Sequence, residues 1–146
     1  MFNTTIATQI YAKICFEATN SQKKIIENLS EYLSDDDFSR IFVLNGFAGT
    51  GKTTLIAALV AALKELRIKP VLLAPTGRAA KVLARYCGEQ ALTIHKRIYR
   101  QRTNADYESK FSLDFNREQG AVFIVDEASM LSDSTGDGAL FGSGSL

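Results

Sequence analysis

At 146 residues, 46% of them hydrophobic, the chain has the size and apolar content of one globular domain with its own core, which argues against a disordered tail. The formal net charge of +1 rules out a global attraction for nucleic acid, so any such affinity has to come from local clusters of basic residues. Cys15 and Cys87 have no CxxC partner, which argues against a zinc site or a disulfide framework, and the longest apolar run, residues 55–63, is far short of the ~20 residues of a membrane span.

No basic segment precedes an apolar stretch at the N-terminus, so a secretory leader is not expected and a cytoplasmic location is. In residues 21–33, Ile25, Ile26, Leu29 and Leu33 recur at helical spacing, with Asn20 or Ser21 available as the N-cap. The polar run 34–39 ends this helix. Ile41, Phe42, Val43 and Leu44 follow as a continuous apolar run, which predicts a parallel strand buried on both faces. Over residues 52–66, Leu55, Ile56, Leu59, Val60 and Leu63 recur at three and four positions, the mark of a helix packed on a sheet.

Pro70 restarts the chain into a second buried strand, 71–74, and residues 77–87 read as a helix stopped by Gly88. Strand, turn and helix alternate, so the unit is βαβα. Thr93 is positioned to cap a short helix over 94–100, after which 101–119 is polar and poorly periodic, a surface excursion. Residues 121–125 predict a third buried strand. Residues 133–146 are rich in Gly, Ser and Asp, show no core face, and read as a loop or a frayed end.

The strongest chemical signal is Gly46-Phe47-Ala48-Gly49-Thr50-Gly51-Lys52-Thr53, which fits G-x-x-x-x-G-K-[ST] between a predicted strand and a predicted helix. Its glycines let backbone amides turn inward around phosphate oxygens, and the positive end of the following helix points at the same anion. The expected nucleotide contacts are Gly46, Ala48, Gly49, Thr50, Gly51, Lys52, Thr53 and Thr54. Lys52 neutralises β- and γ-phosphate charge and counts as catalytic, and Thr53 offers a hydroxyl to a Mg²⁺ ion. Asp126, at the end of the apolar run 121–125, is the second expected magnesium partner, through water; Glu127 is the expected base for the attacking water. No Asn-Lys-x-Asp string occurs, which favours ATP over GTP. Gln22 has an acceptor and a donor that match the adenine edge.

Between Thr76 and Asn104 lie Arg78, Lys81, Arg85, Lys96, Arg97, Arg100 and Arg102 against one acid, Glu89. This stretch reads either as a phosphate-tracking groove for a nucleic acid strand, with Thr76, Thr93 and His95 beside it, or as a solvated basic helix face. His95, with nothing nearby to complete a metal site, reads as a surface or turn residue.

Taken in order, GFAGTGKTTL, VLLAPTGRAAKVL, TIHK and VFIVDEASM resemble motifs I, Ia, Ib and II of the RecD-like group of superfamily 1 helicases, over residues 18–132. The resemblance implies an α/β, RecA-like P-loop ATPase fold with a parallel sheet flanked by helices. Residues 1–132 would be its ATP-binding domain. It implies ATP hydrolysis with magnesium, coupled to 5′-to-3′ movement on single-stranded DNA and to unwinding; a monomer is expected rather than an oligomer. Gln22 matches the group's adenine-reading glutamine, and Pro75, Thr76, Thr93 and His95 fall where the group touches the DNA strand; Arg78 and Arg97 are the basic contacts expected beside them. The group's next motif and second motor domain have no counterpart here, so the chain is expected to be truncated after the Walker B strand and inactive as a motor by itself. Competing expectations are a P-loop ATPase of another class, or a nucleotide-binding regulator without motor activity.

Overall fold

Ile6 and Ile10, four positions apart, are 2% and 0% exposed, and they define the buried stripe of a first helix, α1 (Phe2–Lys13). The computed structural model describes residues 2–35, 37, 39–102, 110–113, 116 and 118–131. These fall into two units, Met1–Pro70 with Tyr86–Gly88, and Val71–Arg85 with Glu89–Leu146. The expected end segment 133–146 and the boundary at 132 lie outside the described residues. Among the described residues no helix is long and apolar enough to cross a membrane.

In the first unit α1 packs on both α2 (Asn20–Ser34) and α3 (Lys52–Glu65), and Lys13 pairs with Glu65 across the α1–α3 contact. The cap of α2 corrects the sequence reading: it is Thr19, not Asn20 or Ser21. Thr19 Oγ1 accepts the Gln22 N–H at 3.3 Å, while Gln22 Oε1 accepts the Thr19 N–H at 3.0 Å. This reciprocal box needs Gln or Glu three residues beyond the cap, a place occupied by lysine for both alternatives. α3 is nearly as expected, and Leu55, Ala58, Leu59, Val60, Ala62 and Leu63 are all buried on it.

Residues 41–44 do not form the expected buried strand. They join no ladder among the described residues, and Ile41 and Val43 are 85% and 79% exposed. Phe42 and Leu44 alone turn inward; the Phe42 ring meets that of Tyr32 at 5.5 Å, and the Tyr32 hydroxyl donates to the Arg40 carbonyl at 2.8 Å. Burial on both faces requires partner strands, and an extended segment held on one side by a helix buries only alternate residues.

The second unit holds a three-stranded sheet in the order β2-β1-β5. β1 (Pro70–Ala74) is central and buried, with Val71 to Ala74 between 8% and 0% exposed. β2 (Ala91–Thr93) runs parallel to it, with Leu72 opposite Ala91 and Ala74 opposite Thr93. The connecting helix α4 (Gly77–Cys87) ends at Gly88, whose φ of +65° makes the left-handed stop that glycine adopts without strain. Val71, Leu73 and Ile94 form one core cluster of this unit, with Leu92, Ile98 and Ala121 against it.

Three expectations change here. The short helix α5 (Ile94–Ile98) is capped by Thr93 as expected but stops two residues early, because the chain turns into β3 (Tyr99–Arg102), antiparallel to β4 (Lys110–Leu113). Part of the supposed surface excursion is therefore a hairpin, whose pairing rests on backbone hydrogen bonds that apolar periodicity does not report. β5 (Val122–Val125) forms, but it stands last in the strand order and is covered on one face only. Phe123 and Val125 are each 40% exposed.

Candidate functional site

In the first unit, residues 46–51 turn tightly into α3. Gly49 and Gly51 have φ of +78° and +82°, a region in which a side chain is strained. Gly51 is the N-cap of α3 and supplies no side-chain bond, so the amides of the first helical turn and the positive helix end meet an anion unopposed by a cap. Thr50 closes the loop through its hydroxyl, donating to the Phe47 carbonyl at 2.8 Å. Lys52 arches back over it, and its Nζ donates to the carbonyls of Gly46 and Phe47 at 2.5 and 2.8 Å. The ammonium is thus held at the loop that would receive phosphates.

Gln22 reaches the same loop from α2, donating through Nε2 to the Thr50 carbonyl at 3.4 Å. Its amide carries two lone pairs and two hydrogens; Thr19 and Thr50 take one of each, so one acceptor and one donor site remain for a base edge. Gln22, Gly46, Gly49, Thr50, Gly51, Lys52 and Thr54 all line one cleft of about 620 Å³. Ala48 lies in the loop but off that lining, and Thr53 sits half-buried on the first turn of α3. Seven lining residues had no expected role in the site, and Phe16 and Thr19, just ahead of α2, are two of them. Thr19 was legible as the start of a T-x-x-Q box; Phe16, 43% exposed, was signalled only by being an aromatic residue just ahead of that box.

In the second unit the remaining expected residues gather at one end of the sheet. Because Ala74 pairs with Thr93 on parallel strands about 4.8 Å apart, Pro75 and Thr76 leave the sheet next to Thr93 and the helix that carries His95. The Asp126 N–H donates to the Leu73 carbonyl at 3.0 Å, which brings the end of β5 to the other side of β1. Three strand ends therefore share an edge, where open α/β sheets place ligands.

Asp126 Oδ1 accepts the Glu127 N–H at 3.0 Å. Glu127 has a φ of +54° and caps the 3-10 turn Ala128–Met130, a left-handed backbone costing a non-glycine residue about 1–2 kcal/mol. The turn breaks strand alternation between the two acids, leaving Asp126 half-buried and Glu127 exposed.

Thr76 Oγ1 accepts the Ala79 N–H at 3.2 Å, and Thr93 Oγ1 accepts the Lys96 N–H at 3.2 Å. A hydroxyl that accepts in a cap keeps its own proton for a phosphate oxygen. Arg78 is exposed, and His95 is exposed with its ring stacked on Tyr99 at 5.5 Å. Arg97 is paired instead: its Nη2 donates to Glu118 Oε1 at 2.5 Å. The acid count of the basic stretch missed Glu118, which lies 21 residues along the chain, where no local pattern reports it.

Residues 17–140 match a family model described as an AAA domain. Over 114 residues, 78% of this chain, the sequence is 29% identical to the ATP-dependent RecD2 DNA helicase of Deinococcus radiodurans, with the match covering 15% of that protein. Over 92 residues, 60% of this chain, it is 37% identical to the ATP-dependent DNA helicase dda of Enterobacteria phage T4, covering 20% of that protein. The matched segment is thus a fifth or less of either relative's length. The family match and both similarities bear out the resemblance to the N-terminal part of RecD-like helicases.

Proposed function

Because the chain belongs to the AAA domain family, we propose that it is the ATP-binding and hydrolysing segment of a DNA helicase, which couples hydrolysis to movement on single-stranded DNA, 5′ to 3′ as in the resembled group, and to duplex unwinding. The observation that carries this reading is the hydrogen bond from Gln22 to the Thr50 carbonyl. A glycine loop at a helix start suits any phosphate, but one with an amide beside it that still has a donor and an acceptor to offer suits an adenine nucleotide.

The loop amides and Lys52 hold the phosphates, with Thr54 at the cleft wall. Thr53 and Asp126 are each hard oxygen donors of the kind magnesium prefers, and a bound ion would supply charge neutralisation on the β- and γ-phosphates. Glu127 accepts the proton of the attacking water. Pro75, Thr76, Arg78, Thr93, His95 and Arg97 contact the DNA strand, and the shared strand-end edge supports their acting together.

The test is a titration of the chain with a fluorescent ATP analogue in magnesium buffer, with and without oligothymidylate. Nucleotide should bind, and DNA should change its affinity, since coupling between two sites is reciprocal. Nucleotide binding indifferent to a bound oligonucleotide would leave a nucleotide-binding regulator. Absence of oligonucleotide binding would leave a P-loop ATPase of another class.

A further inference from the structure

The Arg97–Glu118 pair is only partly open to water, its side chains being 30% and 18% exposed. Arg97 lies on α5, the same short helix as His95, whose cap Thr93 pairs with the end of β1. Resting on the reading above that this edge of the sheet takes a single DNA strand, we propose that Glu118 is a built-in stand-in for a DNA phosphate, an affinity-setting residue of that site. It holds Arg97 in the absence of DNA and gives way to a phosphate oxygen when the strand binds.

The chemistry of the exchange is balanced in charge. A carboxylate and a phosphodiester are both oxyanions that accept from the guanidinium, so Arg97 changes partner without a change in protonation. The 2.5 Å contact joins Arg97 Nη2 to Glu118 Oε1, and the planar guanidinium fork is equally suited to hold two phosphate oxygens together. A partly exposed pair of this kind is held weakly. It is therefore displaceable, unlike a fully buried one. While Glu118 neutralises Arg97, the pair brings no net positive charge to an incoming polyanion, which opposes binding. Glu118 should thus lower both the affinity for DNA and its salt dependence, because fewer counterions are released overall.

Anisotropy titrations of a fluorescent oligothymidylate with the whole chain test this. Glu118→Gln is expected to bind about fivefold more tightly, with a log–log salt slope steeper by about 0.7. Glu118→Asp, which retracts the carboxylate without removing its charge, should fall between it and the unaltered chain, and covers the case in which the Gln variant fails to fold. In an Arg97→Gln background the gain from Glu118→Gln should be clearly smaller, because no guanidinium is left to be freed. An equal gain with and without Arg97 would mean that Glu118 acts only through bulk charge, and would overturn the proposal. So would a fall in melting temperature with no gain in affinity in either Glu118 variant, the signature of a strut. No oligonucleotide binding by the unaltered chain would overturn both this and the DNA reading, whereas binding that ignores Glu118 would overturn this proposal alone.

Discussion

Residues 41–44 and 71–74 are both runs of four apolar residues, and each leads into a loop with an expected ligand role, yet they end in opposite states. Val71, Leu72, Leu73 and Ala74 are at most 8% exposed, flanked by β2 on one side and β5 on the other. Ile41 and Val43 are 85% and 79% exposed, and residues 41–44 have no ladder partner among the described residues. Both runs are wholly apolar, so the difference lies in pairing. A strand is buried on both faces only when neighbouring strands satisfy its amides and carry helices over it. The loop after 41–44 nonetheless keeps its shape, because glycine backbone angles, the Thr50 closure and the α3 start are local.

That contrast orders the expected effects of substitution. Leu72→Ala, at the centre of the paired strand, should cost the most, about 3 kcal/mol or more in urea unfolding, because a side chain 2% exposed leaves a cavity. A loss below about 1 kcal/mol would show that the sheet does not support this unit. Lys52→Ala should weaken magnesium-ATP binding by about 100-fold, through loss of charge-assisted contacts to phosphate, with the unfolding midpoint nearly unchanged. Equal losses of stability and binding would make Lys52 a structural residue of the loop.

Gly51→Ala and Gly49→Ala sharpen the local side of the comparison. Each forces a side chain into a left-handed backbone, at about 1–2 kcal/mol. Only at Gly51 would the new Cβ meet Gln22 Nε2, at 3.1 Å, whereas at Gly49 nothing lies within 4 Å. Nucleotide affinity should therefore fall further for Gly51→Ala than for Gly49→Ala, and identical affinities would detach Gln22 from nucleotide binding. Val43→Thr is the smallest change, within about 0.5 kcal/mol, as expected for an exposed position. A loss comparable to that of Leu72→Ala would mean that residues 41–44 are buried in solution.

Helices α2, α3 and α4 were legible because each carries its own periodicity and its own stop, down to Gly88 behind α4. α1 was not: among its threonines only Ile6 and Ile10 mark a face, and its burial depends on α2 and α3. The β3–β4 hairpin was hidden for a related reason, since its strands, YRQR and KFSL, pair through each other's backbone across several intervening residues.

The phosphate loop and the acidic pair could be read directly from residue order, because their chemistry depends on what stands next to what: glycine before glycine, lysine before threonine, two acids after an apolar run. Partners remote along the chain were decided by tertiary structure alone. The Gln22 contact spans 28 residues and the Arg97–Glu118 pair spans 21. Whether four apolar residues became a buried strand, as at 71–74, or stayed extended on a helix, as at 41–44, was likewise settled by the strands beside them. Local geometry follows from backbone angles and short-range hydrogen bonds, which the sequence specifies residue by residue. Burial and pairing depend on surfaces that exist only once the chain has folded.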